Sequence, residues 1–147
     1  MTFRPALAAI LLAAAVSTPV LAQTGVVIMP AAETTAKVNA VPTSVTVTTA
    51  DKYSVLFSHR TVDGTPEQHA NWTDVMVVQH GQITFTYGGT ISGNTVDERG
   101  ESHGGKITGG TTATLHAGDY MMVPAGVPHL MTAPKDDFRY FVTKVHS

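Results

Sequence analysis

The sequence predicts an all-β sandwich or barrel preceded by one short helix. Three observations carry that expectation. Runs of β-branched and aromatic residues with a period of two recur from Thr43 onward, and turn signals punctuate them about every eight to twelve residues. Only Ala31–Ala40 has a helical composition.

The first 22 residues stand apart. Arg4 precedes an unbroken apolar run of eleven, Ala6 to Val16, and the segment closes on Val20, Leu21 and Ala22. This is the layout of a secretory signal peptide cleaved before Gln23. The run is too short to span a bilayer comfortably, and the competing reading is an uncleaved anchor. No cysteine follows it, which excludes a lipid anchor, and no twin arginine precedes it. The expected location is the periplasm or the extracellular space, with no membrane attachment of the mature form.

Residues 23–147 suffice for one domain with its own core. The whole chain carries a formal charge of −2, and loss of Arg4 with the leader makes it −3. Basic clusters are missing and aromatics are sparse, so nucleic acid is not an expected partner. The chain has no cysteine, which excludes disulfide staples and thiolate chemistry. Any chemistry must come from histidines, carboxylates and hydroxyls.

Residues 23–42 read as an N-terminal arm in which Pro30 opens a brief helix over Ala31–Ala40, closed by Asn39 and Pro42. Ser44–Thr49 alternates as a strand, and Lys52–Arg60 follows as a second, with Ala50 and Asp51 between them. Thr61–Glu67 is a Gly and Pro loop. Asp74–Gln79 is strongly strand-like, and His80, Gly81 and Gln82 read as a tight turn to a hairpin partner, Ile83–Tyr87. Ser92–Gly110 reads as a long polar loop with a weak strand at Lys106–Thr108. Thr111–His116, Tyr120–Val123 and Phe138–Val145 complete the strands of a domain over 43–147.

One stretch, Gly118–His129 (GDYMMVPAGVPH), combines turn, strand, turn and histidine. Its pattern GxxxxxPxGxxH arises by chance in a chain of this length on the order of once in a thousand at ordinary Gly and Pro usage. Pro124, Gly126 and Pro128 fix where His129 stands. The other dense polar constellation on strand-like sequence is Glu67–Asp74, EQHANWTD.

These two stretches resemble the paired motifs of the cupin superfamily. Gly118, Pro124, Gly126 and His129 are similar to the second motif, with Ala133 where the family has Asn. Glu67, His69, Asp74 and Gly81 can be laid on the first, with Glu67 at the usual first His and Asp74 at the usual Glu. A rival register, with His69 and Asn71 as the first pair, leaves too few residues before Asp74. The YGGT turn at Tyr87–Thr90, the GESHGGKITGG loop and the closing FVTKV also resemble small single-domain bacterial cupins.

The resemblance implies a cupin jelly-roll β-barrel, a divalent transition metal (Fe, Mn, Ni or Zn) held by His69, Asp74, His129 and Glu67, a small-molecule ligand, and a homodimer. It further implies a metal-dependent oxidoreductase of dioxygenase type, an isomerase or a lyase, or a non-catalytic module for a sugar or small acid, or a structural cupin whose barrel serves dimerisation. The residues themselves agree in part. Residues 67 and 69 share one face of an extended strand, and Asp74 returns to that face if a bulge absorbs one residue. Two imidazoles with carboxylates suit these metals. The alternative is that His69 and His129 only hydrogen-bond within the barrel mouth. Glu67 is a fourth ligand or a general base.

Arg60, Trp72 and Tyr87 are the candidate substrate contacts. Each has a structural rival: Arg60 as a strand-end ion-pair partner, Trp72 as a cover on the barrel end, and Tyr87, with Met122, Met131 and Tyr140, as packing. His59, His80, His103, His116 and His146 lie outside the motifs and read as solvated.

Overall fold

The structure, a computed structural model, describes residues 26–41 and 43–147, so the expected leader lies outside the described residues. It comprises α1 (Ala31–Asn39) and eleven strands: β1 (Ser44–Ala50), β2 (Tyr53–Arg60), β3 (Glu67–His69), β4 (Trp72–Tyr87), β5 (Thr90–Ser92), β6 (Thr95–Val96), β7 (Glu101–His103), β8 (Lys106–Thr108), β9 (Thr111–His116), β10 (Tyr120–Val123) and β11 (His129–His146). Every strand pairing is antiparallel. The architecture is the expected all-β barrel with one short helix. Among the described residues no helix is long and apolar enough to cross a membrane.

Two long strands, β4 and β11, run antiparallel along their whole length and bend together. Their outer halves pair with β10 and β2, and β2 in turn pairs with β1. Their other halves pair with β9 and β3, and β3 continues to β7 and β6. The result is two layers that share two strands. The core between them is Met76, Val78, Ile83, Phe85, Val123, Met131, Phe138, Tyr140 and Val142.

The bend corrects one expectation from the sequence. His80–Gln82 is not a hairpin turn, and residues 72–87 form one continuous strand. Gly81 has φ of +76°, and a Cβ there would lie 2.4 Å from the Lys135 carbonyl oxygen of β11, so this glycine lets the two backbones approach at the corner. Opposite it, Ala133, Asp136 and Asp137 have positive φ and the β4–β11 register slips. The slip changes which residues face inward. In β4 the buried positions are 74, 76 and 78 before the corner and 83 and 85 after it; in β11 they are 129 and 131 before and 138, 140 and 142 after.

The last strand therefore extends well upstream of the expected Phe138, back to His129. The expected long loop holds two further short strands, β6 and β7, besides the expected one at Lys106–Thr108 (β8), because β8 pairs with β5 and β7 bridges β3 and β6. Helix α1 starts after Pro30, buries Val38, and is tied to β11 by a hydrogen bond from Arg139 Nη2 to Asn39 Oδ1 at 2.9 Å.

Candidate metal centre

Three cross-strand pairs build the site. Glu67 of β3 faces His129 of β11, His69 of β3 faces Glu101 of β7, and Asp74 of β4 faces Lys144 of β11. Side chains directly opposite in a ladder stand within about 5 Å at Cβ, so register alone brings each pair into contact. Glu67 and His69 project from the same face of β3, as alternation requires, and Gln68 points the other way to donate to the Gly126 carbonyl at 3.0 Å.

The Pro124–Val127 turn locks the second histidine to the first. Val127 N–H donates to the Pro124 carbonyl, with Gly126 at φ +80°, the conformation a type II turn needs at that position. Gly126 N–H then donates to the His69 carbonyl at 2.8 Å, and Ala125 N–H to Thr73 Oγ1 at 3.3 Å. The turn is thus stitched to the strand bearing His69, and the two imidazole centroids lie 5.2 Å apart.

Ligand atoms of Glu67, His69 and His129 lie within 4.8 Å of one another. Both imidazoles are tied from behind. His69 Nδ1 is held by Glu101 Oε2, and His129 Nδ1 donates to the Val127 carbonyl at 3.1 Å. An acceptor on Nδ1 fixes the tautomer with the lone pair on Nε2, and both Nε2 atoms face the Glu67 carboxylate, at 3.7 and 4.0 Å from its Oε2. Two oriented imidazoles and a carboxylate, buried but for the half-exposed Glu67, fit a divalent transition metal.

Asp74 lies beside this cluster rather than within it. Its carboxylate receives Lys144 Nζ at 2.7 and 3.0 Å, and its Oδ2 is 3.4 Å from His69 Nε2. Lys144 Nζ is also 2.9 Å from His69 Nε2. Burial works to raise the Asp74 pKa, but His69 and Lys144 outweigh it and hold the carboxyl below its usual range. For His69, burial and Lys144 pull the pKa down, and Asp74 and Glu101 carry it above the usual imidazole value. His129 is pushed below that value by burial, against its bond to Val127 and the charge of Glu67.

A cavity of about 380 Å³ opens next to the cluster, with Arg60, Glu67, Asp74, His129, Tyr140 and Lys144 in its polar wall and Leu56, Met76, Met131 and Val142 in its apolar one. Arg60 Nε donates to Tyr140 Oη at 3.0 Å, and its Nη2 lies 3.7 Å from Glu67 Oε1. Tyr140, buried, has its phenol pKa raised by that burial. Trp72 and Tyr87 do not line this cavity: Trp72 packs edge-on to His146 at 4.9 Å, and Tyr87 stacks on Phe85 at 5.8 Å.

Glu101 and Lys144 are site residues that sequence reasoning passed over. Lys144 left a trace: it continues the inward phase of Phe138, Tyr140 and Val142, and a charge in that phase signals a buried partner. Of the five other histidines, His80, His103 and His116 are exposed as expected. His59 is half-buried with Nε2 2.8 Å from Asp137 Oδ1, and His146 is half-buried against Trp72.

No family model matches the chain, and no curated protein matches it either. Solved structures do match it in fold. A hydroquinone 1,2-dioxygenase, PnpCD, in complex with Cd2+ and 4-hydroxybenzonitrile, aligns over 74% of this chain and 68% of its own at TM-score 0.55 and 16% identity. The hydroquinone 1,2-dioxygenase of Sphingomonas sp. TTNP3 with 4-hydroxybenzoate bound aligns over the same shares at 0.52 and 16%. The cupin domain of Cnp3 from Schizosaccharomyces pombe aligns over 71% of this chain and 64% of its own at 0.53 and 10%. In fold, therefore, the chain is a cupin jelly roll, and it carries a Glu/His/His cluster whose geometry could hold a metal.

Proposed function

We propose that this is an exported cupin-fold protein that binds one divalent transition metal through Glu67, His69 and His129 and takes a small molecule into the adjoining cavity. The observation that carries the reading is the orientation of both imidazoles, each tied at Nδ1 to an acceptor with Nε2 turned toward Glu67. A metal held there supplies Lewis acidity or a redox centre at the cavity wall. The chain's own residues supply the rest. Arg60 and Lys144 place positive charge where a carboxylate or phenolate would sit, and Leu56, Met76 and Val142 cover an apolar body.

A dioxygenase-like reaction on a small polar or aromatic acid is the enzymatic form of this proposal, with Glu67 as ligand or general base. Arg60 and Lys144 in the lining also favour a second reading, a binding module for a small acid without turnover. Export to the periplasm or beyond belongs to the proposal on the strength of residues 1–22. A homodimer belongs to it too, supported by the outward-facing Tyr120, Met122 and Val77, which are 62%, 57% and 38% exposed on adjacent strands.

The test is elemental analysis of untagged protein after reconstitution, compared with His129→Ala. About one equivalent of metal, lost in the variant, supports the reading, and a wild-type protein that takes up none would sink it. Oxygen consumption with small phenolic acids then separates the enzyme from the binding module. Light scattering tests the dimer, and N-terminal sequencing of exported protein tests for a start at Gln23.

A further inference from the structure

Lys144 has no place among the metal ligands proposed above, yet its ammonium stands against them. Nζ is 2.9 Å from His69 Nε2, the nitrogen whose lone pair would face a metal, and 2.7 and 3.0 Å from the Asp74 oxygens. Lys144 lines the cavity and His69 does not, so the ammonium stands on the approach from the cavity to that nitrogen. One lone pair cannot serve both an ammonium proton and a metal ion, and two cations at contact distance repel.

The partners differ in their freedom to move. Asp74 is a buried side chain, 6% exposed, on a central strand, whereas the Lys144 side chain is 24% exposed and ends a flexible four-carbon stem. The lysine can swing into the cavity; the aspartate stays. Its Oδ2 is already 3.4 Å from His69 Nε2, within reach of the same ion.

We propose that Lys144 is a built-in cation that keeps the metal-free site occupied, and that a divalent metal enters only by displacing it, which frees Asp74 as a further oxygen ligand. This rests on the metal reading above. The wild-type affinity is therefore weaker than the donor set alone would give. Removing the ammonium tightens binding even though it removes a residue from the site.

The experiment compares Mn2+, Co2+ and Zn2+ binding to metal-stripped wild type, Lys144→Met, the double variant Lys144→Met/Asp74→Asn, and His129→Ala, by titration calorimetry and by the Co2+ absorption spectrum. Lys144→Met should bind roughly tenfold to a hundredfold more tightly than wild type, the worth of a charge-assisted hydrogen bond. The double variant keeps the site's net charge and removes the buried unpaired carboxylate, so it remains testable if the single variant folds poorly. It should also bind more tightly than wild type, by a smaller factor, and with a Co2+ spectrum unlike that of Lys144→Met because the Asp74 oxygen is gone.

Wild-type binding that depends on His129 but is not improved in either variant overturns the displacement alone. A gain in Lys144→Met with the same Co2+ spectrum in both variants overturns the recruitment of Asp74, since its oxygen would then not be bound to the ion. Binding by none of the proteins overturns the metal reading and this inference together.

Discussion

Lys144 and Asp74 are direct partners across the β4–β11 ladder, and their side chains meet at 2.7 Å in a pair that is nearly dry on the aspartate side. Removing one member of such a pair leaves the other charge desolvated and alone. In metal-free protein Lys144→Ala should cost about 3 kcal/mol, a loss of roughly 10 °C in Tm. Asp74→Asn should cost less, because the released ammonium reaches water more easily than the aspartate does. Urea melts of both variants check this, and equal losses below about 1 kcal/mol would show the pair to be energetically idle.

The two site histidines should tilt the stability of the metal-free protein in opposite directions with pH. His69 has a folded pKa above its unfolded value near 6.5, so its contribution is complete below pH 6.5 and is lost as pH rises through the folded value. His129 has a folded pKa below 6.5, so its contribution is present above pH 6.5 and is lost as pH falls through the folded value. Chemical melts from pH 5 to 8 should show His69→Gln losing the downward slope and His129→Gln losing the upward one. The reverse assignment would refute the electrostatics described for the site.

Asp74 adds an acid limb. Its folded pKa lies below the ordinary 3.8, so the stability it contributes is held above pH 3.8 and lost as pH falls below that through the folded value. Asp74→Asn should flatten this limb of the profile while Asp97→Asn, on an exposed turn, should leave the core transition in place. Identical acid limbs in wild type and Asp74→Asn would count against it.

Glu101 touches no candidate ligand except through His69 Nδ1. It is a positioning residue, and Glu101→Ala should weaken metal binding about 10- to 100-fold, with Glu101→Gln retaining part of the affinity through its carbonyl oxygen. A purely structural role would lower Tm in both variants and leave the dissociation constant unchanged.

Gly81→Ala forces a Cβ to within 2.4 Å of the Lys135 carbonyl and a left-handed φ on a non-glycine residue. The expected loss is about 2 kcal/mol or more, roughly 6 °C or more in Tm. Gly118→Ala also carries a positive φ but meets nothing within 4 Å, so it should lose only the conformational part. A Gly81→Ala protein as stable as Gly118→Ala would mean that the corner relaxes freely.

The strands with clean alternation, Ser44–Thr49 and Thr111–His116, were legible because their period is a local property of the chain. The continuity of β4 was not, since Gly81 between two apolar runs reads equally as a hairpin or as a bent strand, and only the approach of Lys135 decides. Glu67, His69 and His129 stood out in the sequence because two fixed motifs carry them. Glu101 and Lys144 did not, because the ladders that set them opposite His69 and Asp74 join residues 32 and 70 positions apart. Short strands β5–β7 were hidden for a related reason: they exist through pairing partners more than through their own composition.

The corner at Ala133–Asp137 works as a frame-shifter for the last strand. His129 faces inward on odd-numbered positions, and the segment beyond the corner faces inward on even ones, Lys144 among them. Losing a single codon within 133–137, and nothing else, would leave His129 at Glu67 but turn either the Phe138–Val142 core or the corner itself out of phase. Length, not composition, is what that short segment protects, and it determines whether a lysine or a valine arrives opposite Asp74.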